Sequence, residues 1–163
     1  MYSYKIKQFI WAIFAKINYD DKKYVRKILN KKEEILFLKM TTSEQKHSIR
    51  VSKAVEKELL NNKEYDIDLV KSALLHDIGK IKCKMNTIEK SFIIIFNKLT
   101  KGKIKNKKIK NKINLYYKHG DLGCDILKAY GYSDKFYFYI KNHNNKNIDD
   151  YKLNILKKYD NMY

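Results

Sequence analysis

The stretch Ala73–Lys80 reads A-L-L-H-D-I-G-K, and the rest of the chain is best interpreted from it. His76 and Asp77 follow an apolar run that is typical of a buried helix. Because neighbouring helix residues point about 100° apart, both side chains can reach one ion only where the helix ends or bends. Gly79 offers such an end by letting the backbone turn. A surface pair or a hydrogen bond at a helix end is the ordinary alternative for an isolated His-Asp pair.

These eight residues together resemble the signature of the HD-domain superfamily of metal-dependent phosphohydrolases. The resemblance implies an all-α fold, a compact helical bundle whose site combines an upstream His, the His-Asp pair and a downstream Asp. We expect residues 42–163 to form the HD domain and residues 1–41 to form a helical extension packed on it.

The four histidines of the chain all fall at positions that the family pattern expects. The segment H-S-I-R-V resembles the upstream motif and supplies His47. His119 in K-H-G-D and His143 in I-K-N-H-N resemble two extra histidines of dinuclear HD hydrolases. Asp160 in L-K-K-Y-D matches the downstream Asp, although so few residues follow it that this helix end is expected to fray. Many relatives carry a second His directly after His143, where this chain has Asn144.

The resemblance therefore implies a site for two divalent ions. The first ion would be held by His47, His76, Asp77 and Asp160, and Asp77 would bridge to a second ion held also by His119 and His143. Two ions about 3.5–4 Å apart can share a hydroxide and stabilise both the attacking and the leaving oxygen of a phosphoryl displacement. Mixed imidazole and carboxylate ligation suits Fe, Mn, Co or Zn equally.

Two basic residues are expected beside the metals. Lys80 is expected to contact the substrate and to neutralise charge on the phosphoryl oxygens, which makes Asp77 and Lys80 the predicted catalytic residues. Arg50 lies one helical turn beyond His47, where it can bind a substrate phosphate or pair with a site carboxylate. The expected activity is hydrolysis of a nucleotide or another small phosphoester. The ligand pattern also resembles that of small dinucleoside polyphosphate hydrolases, whereas the missing G-Y-P sequence argues against the cyclic-di-GMP phosphodiesterase branch.

Basic residues dominate the charged side chains, with 36 Lys and Arg against 18 Asp and Glu, a net charge of +18. This charge leads to the alternative function, a non-enzymatic nucleic-acid-binding or membrane-associated signalling domain. Lys, Asn, Ile and Tyr are abundant and Pro is absent, a profile that follows from A+T-rich codons. We therefore interpret the charge mainly as a solvated surface. The Lys-rich segment 100–112 is expected to be a mobile loop or a frayed amphipathic turn, with guidance of an anionic substrate as the functional alternative.

The apolar run Phe9–Ile17 is too short to span a bilayer. Its helical spacing predicts one face packed on the domain, formed by Ile6, Phe9, Ile10, Ile13, Phe14 and Ile17. Peripheral membrane contact through residues 5–17 is the alternative. The run lacks a small-residue cleavage site, so a signal peptide is not expected. Cys83 and Cys124 form no C-x-x-C pattern, and we expect free thiols in a reducing cytoplasm.

Capping signals predict where several helices begin. Thr42 with Gln45 forms a capping-box pattern that predicts a helix to about residue 60. Other caps are predicted at Asn30, Asp66, Asn86 and Ser133. Glu33 is expected to be a solvated first-turn acid, and the apolar run 92–99 is expected to form a buried core helix.

Overall fold

Short polar connections join a series of helices in the computed structural model, which describes residues 10–11, 13–83, 85 and 87–163. The helices are α1 (Tyr19–Ile28), α2 (Lys31–Phe37), α3 (Thr42–Asn61), α4 (Ile67–Leu75), α5 (Thr87–Leu99), α6 (Lys107–Tyr117), α7 (His119–Leu127), α8 (Asp134–Asn142) and α9 (Tyr151–Met162). Two 3₁₀ segments, Ile78–Lys82 and Lys128–Tyr130, follow α4 and α7. The all-α prediction is confirmed, since no strand occurs among these described residues.

Helix α4 lies at the centre of the fold, with α3, α8 and α9 packed around it. Every residue from Ser72 to Leu75 is fully buried. This last turn of α4 is covered on every side by its neighbours, and Ala73, Leu74 and Leu75 supply the apolar surface that such a position requires. Because α4 runs into the interior, the two residues that follow it, His76 and Asp77, are placed there as well.

Helices α1 and α2 pack against the same core. Val25, Ile28 and Phe37 are buried in one apolar cluster together with the residues of α4. Their burial contributes the transfer of apolar surface out of water, about 25 cal/mol per Å². The division between an extension and a domain at residue 42 stays a prediction.

The apolar run before α1 does not pack as predicted. Ile6 and Phe9 lie outside the described residues, and Ile13 and Phe14 are exposed. Among the described residues of this face, Ile17 alone packs against the core cluster. The physical reason is that residues 15–18 leave the helical conformation, so a helical face does not continue along the run. None of the described helices is both long enough and apolar enough to cross a membrane.

The capping box of α3 begins one residue earlier than predicted. Thr41 Oγ1 accepts a hydrogen bond from the backbone N–H of Glu44, and the Glu44 carboxylate accepts one from the backbone N–H of Thr41 at 3.0 Å. Thr42 with Gln45 was the wrong choice because a carboxylate is the stronger acceptor. The Gln45 amide is used elsewhere and donates to the carbonyl of Met40 at 2.8 Å. The caps at Asn30, Asp66 and Ser133 are confirmed, and Asn86 lies outside the described residues.

Glu33 is buried rather than solvated, with 2% of its surface exposed. Its carboxylate accepts hydrogen bonds from the backbone N–H of Asn30 at 2.8 Å, from Lys71 Nζ at 3.1 Å and from the hydroxyl of Tyr132. The prediction was wrong because it considered only the first turn of α2. Residues more than 35 positions away enclose the side chain.

Helix α5 is less buried than predicted. Ile95, Phe96 and Leu99 are exposed, because an all-apolar run can turn only one side toward its neighbour α6. In the Lys-rich segment 100–112, residues 103–106 are irregular as expected. The second half is helical, since Asn106 caps α6 by accepting hydrogen bonds from the backbone N–H groups of Lys108 and Ile109.

Candidate metal centre

Five helices bring all four histidines together with two aspartates in one interior cluster, here called the His/Asp cluster. Its members are His47 in α3, His76 directly after α4, Asp77 before the first 3₁₀ segment, His119 at the start of α7, His143 directly after α8 and Asp160 in α9. The imidazole rings of His47 and His76 have centroids 5.3 Å apart, and those of His76 and His143 are 4.9 Å apart. The structure therefore brings together all six side chains that the sequence predicts as metal ligands.

Gly79 allows α7 to approach the first 3₁₀ segment. A Cβ atom at this position would lie 1.9 Å from the carbonyl oxygen of His119 and 2.7 Å from the backbone nitrogen of Gly123. The positive φ that a glycine turn would use is absent here, since the described glycines with positive φ are Gly102 and Gly131. Gly79 is thus needed for close packing rather than for a turn, and this packing places His119 Nε2 3.3 Å from Asp77 Oδ1.

The predicted ligand atoms form two overlapping groups. Atoms of His47, His76 and Asp160 lie within 4.8 Å of one another, and so do atoms of His76, Asp77 and His143. Asp160 Oδ1 is 2.9 Å from His47 Nε2 and 3.3 Å from His76 Nε2. Asp160 lies within a regular helix that continues to Met162, so the expected fraying is not observed.

Backbone carbonyl groups orient three of the rings. Nδ1 atoms of His76, His119 and His143 lie 2.9, 2.5 and 2.7 Å from the carbonyl oxygen of the residue three positions earlier. Because a carbonyl oxygen can only accept, each Nδ1 carries the hydrogen and donates it. The remaining atom, Nε2, then points into the cluster, which is the arrangement that outer-sphere hydrogen bonds give to metal-bound histidines.

Two buried atoms at the centre of the cluster lack a hydrogen bond. They are His76 Nε2 and Asp77 Oδ1. A buried polar atom without a partner costs about 1–3 kcal/mol, so native proteins rarely keep one without a role. A divalent cation would satisfy both atoms. Imidazole nitrogen and carboxylate oxygen together form a donor set that fits Fe, Mn, Co or Zn.

The electrostatics of the cluster favour positive charge. Burial alone would raise the pKa of Asp77, but the Lys80 ammonium and the His76 ring hold it well below its usual value. Burial would also raise the pKa of Asp160, but the rings of His76 and His47 outweigh this effect and lower the pKa. Burial would lower the pKa of His76, yet the two carboxylates raise it to about 9. The field that attracts a proton to this ring also attracts a metal ion.

His143 lies in a different part of this field. Burial, helped by positive charge on His76, lowers the pKa of His143 to about 3. The ring is therefore neutral at physiological pH. A neutral imidazole is the form that binds metals.

A family model for the HD domain matches residues 45–161. This chain belongs to the HD domain family. HD domains bind divalent metals, and members of the family are generally metal-dependent hydrolases. Neither a search of curated proteins nor a search of solved structures gave a significant match.

In this HD domain, Lys80 contacts the His/Asp cluster from the side opposite the rings. Its Nζ lies 2.5 Å from Asp77 Oδ2, whereas Asp77 Oδ1 faces the histidines. The ammonium also lies 5.5 Å from the ring centroid of Tyr116, a cation–π contact. Burial lowers the pKa of Lys80, but the charge of Asp77 more than compensates and raises it.

Arg50 lies in a neighbouring cavity of about 830 Å³. Its guanidinium group is 4.9 Å from the centroid of the Trp11 ring, and Tyr159 and Tyr163 also line the cavity. No ion pair joins Arg50 to a carboxylate of the His/Asp cluster in the described part of the chain. Because Arg50 is three residues after His47, both lie on one face of α3.

Two residues at the cluster of this HD domain were not predicted. Tyr116 lies under Lys80, and its ring centroid is 5.7 Å from that of His119. The two residues belong to different helices, α6 and α7, so helical spacing in the sequence did not indicate Tyr116. The side chain of Asn144 contacts the rings of both His119 and His143. Asn144 follows His143 directly in the sequence, but no role was predicted for Asn144.

Proposed function

We propose that this HD domain is a metal-dependent phosphohydrolase that cleaves a nucleotide or another small phosphoester. The observation that carries the proposal is the pair of buried atoms without hydrogen bonds, His76 Nε2 and Asp77 Oδ1. Both belong to a cluster in which five residues form groups that could hold a metal ion, namely His47, His76, Asp77, His143 and Asp160. A purely structural polar cluster is normally closed by its own hydrogen bonds. Divalent cations would satisfy the open positions of this cluster.

Six side chains are the proposed ligands: His47, His76, Asp77, His119, His143 and Asp160. Two divalent ions held by them would supply an activated water and would neutralise charge on the phosphoryl group. Asp77 is the proposed bridge, because its Oδ1 atom lies near rings from both halves of the cluster. The low pKa of Asp77 keeps it ionised and able to bind cations at physiological pH.

Lys80 is the proposed phosphate-binding cation. Its raised pKa keeps the ammonium charged throughout the physiological range, so it acts as a fixed positive charge rather than as an acid. Contact with Asp77 holds this charge beside the proposed ions. A fixed charge of this kind stabilises negative charge that develops on a phosphoryl oxygen without reorganisation during the reaction.

The cavity around Arg50 is the proposed binding place for the rest of the substrate. Arg50, Lys53 and Lys57 supply positive charge, and Tyr159 and Tyr163 supply aromatic rings. A ligand that carries both phosphate and a planar base matches this combination. None of the six proposed ligands lines the cavity, but Arg50 lies one helical turn from His47 on α3. A substrate long enough to reach from the cavity to the metals, such as a nucleotide, is therefore favoured over a simple phosphate ester.

The test is a metal analysis combined with a hydrolysis assay. Protein purified under anaerobic conditions should contain up to two transition-metal ions per chain and should hydrolyse bis-p-nitrophenyl phosphate or members of a nucleotide panel. Asp77→Ala should lose both the ions and the activity, whereas Asp149→Ala, an exposed control, should keep both. An Asp77→Ala variant that retains its ions and its turnover contradicts the proposal.

A further inference from the structure

Three side-chain atoms beside the His/Asp cluster form a triangle with equal sides. His119 Nε2, His143 Nε2 and Asn144 Nδ2 are each 2.9 Å from the other two. Both rings donate their Nδ1 hydrogen to a backbone carbonyl, so both Nε2 lone pairs point toward the same small space. Two lone pairs at this separation repel each other unless donated hydrogens or a cation lie between them.

The triangle has the dimensions of a metal-binding face. Bonds from imidazole nitrogen to a first-row divalent ion are about 2.0–2.1 Å long, so two ligands at right angles on an octahedral ion are separated by about 2.8–3.0 Å. Tetrahedral ligands at the same bond length are about 3.3–3.4 Å apart. The observed separations therefore match three adjacent ligands of one octahedral ion.

The amide of Asn144 can present either of its two ends to the rings. With Nδ2 directed inward, its two hydrogens satisfy one Nε2 lone pair each. Nδ2 and Oδ1 are nearly equal in size, so a half-turn of the amide places Oδ1 at the same corner of the triangle. An amide oxygen is repelled by the lone pairs but attracted by a cation, and a bound ion therefore reverses the preferred orientation.

We infer that Asn144 is a fourth ligand of the second ion, which it binds through Oδ1 beside His119, His143 and Asp77. This inference rests on the proposed function and specifies one ligand of the same site. Asn144 is exposed whereas the two rings are buried, so the ion is reached from solvent on this side. A neutral oxygen donor binds soft metals less strongly than a third imidazole, which shifts this site toward Mn²⁺ relative to Zn²⁺.

The discriminating pair of variants is Asn144→Ala and Asn144→Asp. Alanine removes both the donor and the acceptor of the amide. Aspartate keeps an oxygen at the same distance and adds negative charge, but its ionised carboxylate cannot donate a hydrogen bond to a ring nitrogen. A ligand role predicts opposite effects of the two variants, whereas a role as hydrogen-bond donor predicts loss in both. Asn145→Ala, at the exposed neighbouring position, is the control.

Chelator-treated protein would be titrated with Mn²⁺, followed by the EPR signal of free Mn²⁺, and with Co²⁺, followed by visible absorption. The parent and Asn145→Ala should bind two ions per chain. Asn144→Ala should weaken the second binding step by about tenfold or more and leave the first within about twofold. Asn144→Asp should strengthen the second step and change the Co²⁺ spectrum.

Other results separate this inference from the proposed function. Equal weakening in Asn144→Ala and Asn144→Asp, or unchanged binding in both, overturns the role of Asn144 while the two-ion centre stands. A parent that binds one ion overturns the inference and leaves the first site. A parent that binds none overturns the inference and the proposed function together.

Discussion

Glu33 and Asp77 are buried to nearly the same extent, with 2% and 1% of their surface exposed, yet their oxygen atoms have different surroundings. The carboxylate of Glu33 is closed by Lys71, Tyr132 and a backbone N–H group. Asp77 has Lys80 on Oδ2 only, and Oδ1 faces histidine rings without a hydrogen bond. Burial of an acid therefore does not by itself indicate a functional site. The oxygen without a hydrogen bond is what distinguishes Asp77 from Glu33.

The carboxylate of Asp66, like that of Glu33, is paired with other groups of the protein. It caps α4 through the backbone N–H of Leu69 at 3.1 Å and pairs with Lys135 of α8 at 2.8 Å and Lys152 of α9 at 2.6 Å. Each of its partners comes from the chain itself, and the arrangement joins three helices around the core. The predictions below test whether Asp77 differs from Glu33 and Asp66 in the way that this comparison implies.

The largest effect should come from the ions themselves. A ligand present at about a thousand times its Kd stabilises the folded state by about 4 kcal/mol. We expect Mn²⁺ or Co²⁺ to raise the free energy of unfolding of chelator-treated protein by this order, measured by urea unfolding. Asp77→Asn should abolish the increase, and Asp66→Asn should keep it. If added ions leave the free energy of unfolding of the parent unchanged, the His/Asp cluster has a purely structural role, as the groups around Glu33 and Asp66 have.

Lys80→Met should have the next largest effect. Removing one partner of a buried ion pair costs about 3–5 kcal/mol, because Asp77 keeps an uncompensated charge. We expect a loss of this size in chelator-treated protein and a smaller loss with ions bound, since the ions then compensate the same charge. Lys128→Met, at an exposed position, should change unfolding by less than about 0.5 kcal/mol.

The same variant tests the chemical role of Lys80. If its charge acts mainly on the transition state, kcat should fall by about a hundredfold with KM nearly unchanged. Steady-state kinetics at saturating metal would measure this. Unchanged kcat and KM would remove Lys80 from the catalytic residues and leave it a positioning role at Asp77.

Asp66→Asn should cost less, about 1–2 kcal/mol, and its cost should depend on pH. Asparagine caps a helix as well as aspartate does, so the variant isolates the charge pairs with Lys135 and Lys152. Burial acts to raise the pKa of Asp66, but these two lysines lower it to about 2. Because the folded pKa is lower than the unfolded value, the stabilisation is complete above about pH 4 and is lost as the pH falls toward 2.

Urea unfolding of parent and Asp66→Asn between pH 2 and pH 7 would measure this difference, with the exposed Asp149→Asn as control. The two curves should converge at low pH. A difference that stays constant over the whole range would show that the charge pairs contribute nothing.

The smallest effect should come from the irregular part of the Lys-rich segment. Replacing Lys101, Lys103 and Lys105 by Gln should change unfolding by less than about 0.5 kcal/mol. Activity should fall modestly, and the effect should shrink as salt increases, because charges are screened over about 8 Å at physiological ionic strength. Tight binding of nucleic acid by the parent, with a salt dependence that decreases for each lysine removed, would instead support the nucleic-acid-binding alternative.

Local signals in the sequence were sufficient to predict several helix starts. The caps at Asn30, Asp66 and Ser133 are confirmed because each depends on a hydrogen bond to a backbone group three residues away. The cap of α3 was misplaced by one residue because two overlapping capping boxes compete in T-T-S-E-Q. The Glu44 carboxylate is the stronger acceptor, and the Gln45 amide donates instead to the carbonyl of Met40.

Burial was predicted less well than helix position. The exposed Leu99 in α5 and the buried Glu33 in α2 are both opposite to the expectation from the sequence. In each case the local pattern describes which residues could be buried, whereas the packing of other helices decides which side is covered. Gly79 shows the same limit, since its role depends on the backbone of α7 forty residues later.

The sequence by itself determined the all-α class, the HD motif and the identity of six potential ligands, because each is carried by short stretches of residues. Only the tertiary structure decided that these ligands share one cluster, since His47 and Asp160 are 113 positions apart and meet through the packing of α3 against α9. The tertiary structure also decided which polar atoms remain unsatisfied. Hydrogen bonding of a buried group depends on every element packed around it, and residues near it in the chain supply only part of that surrounding.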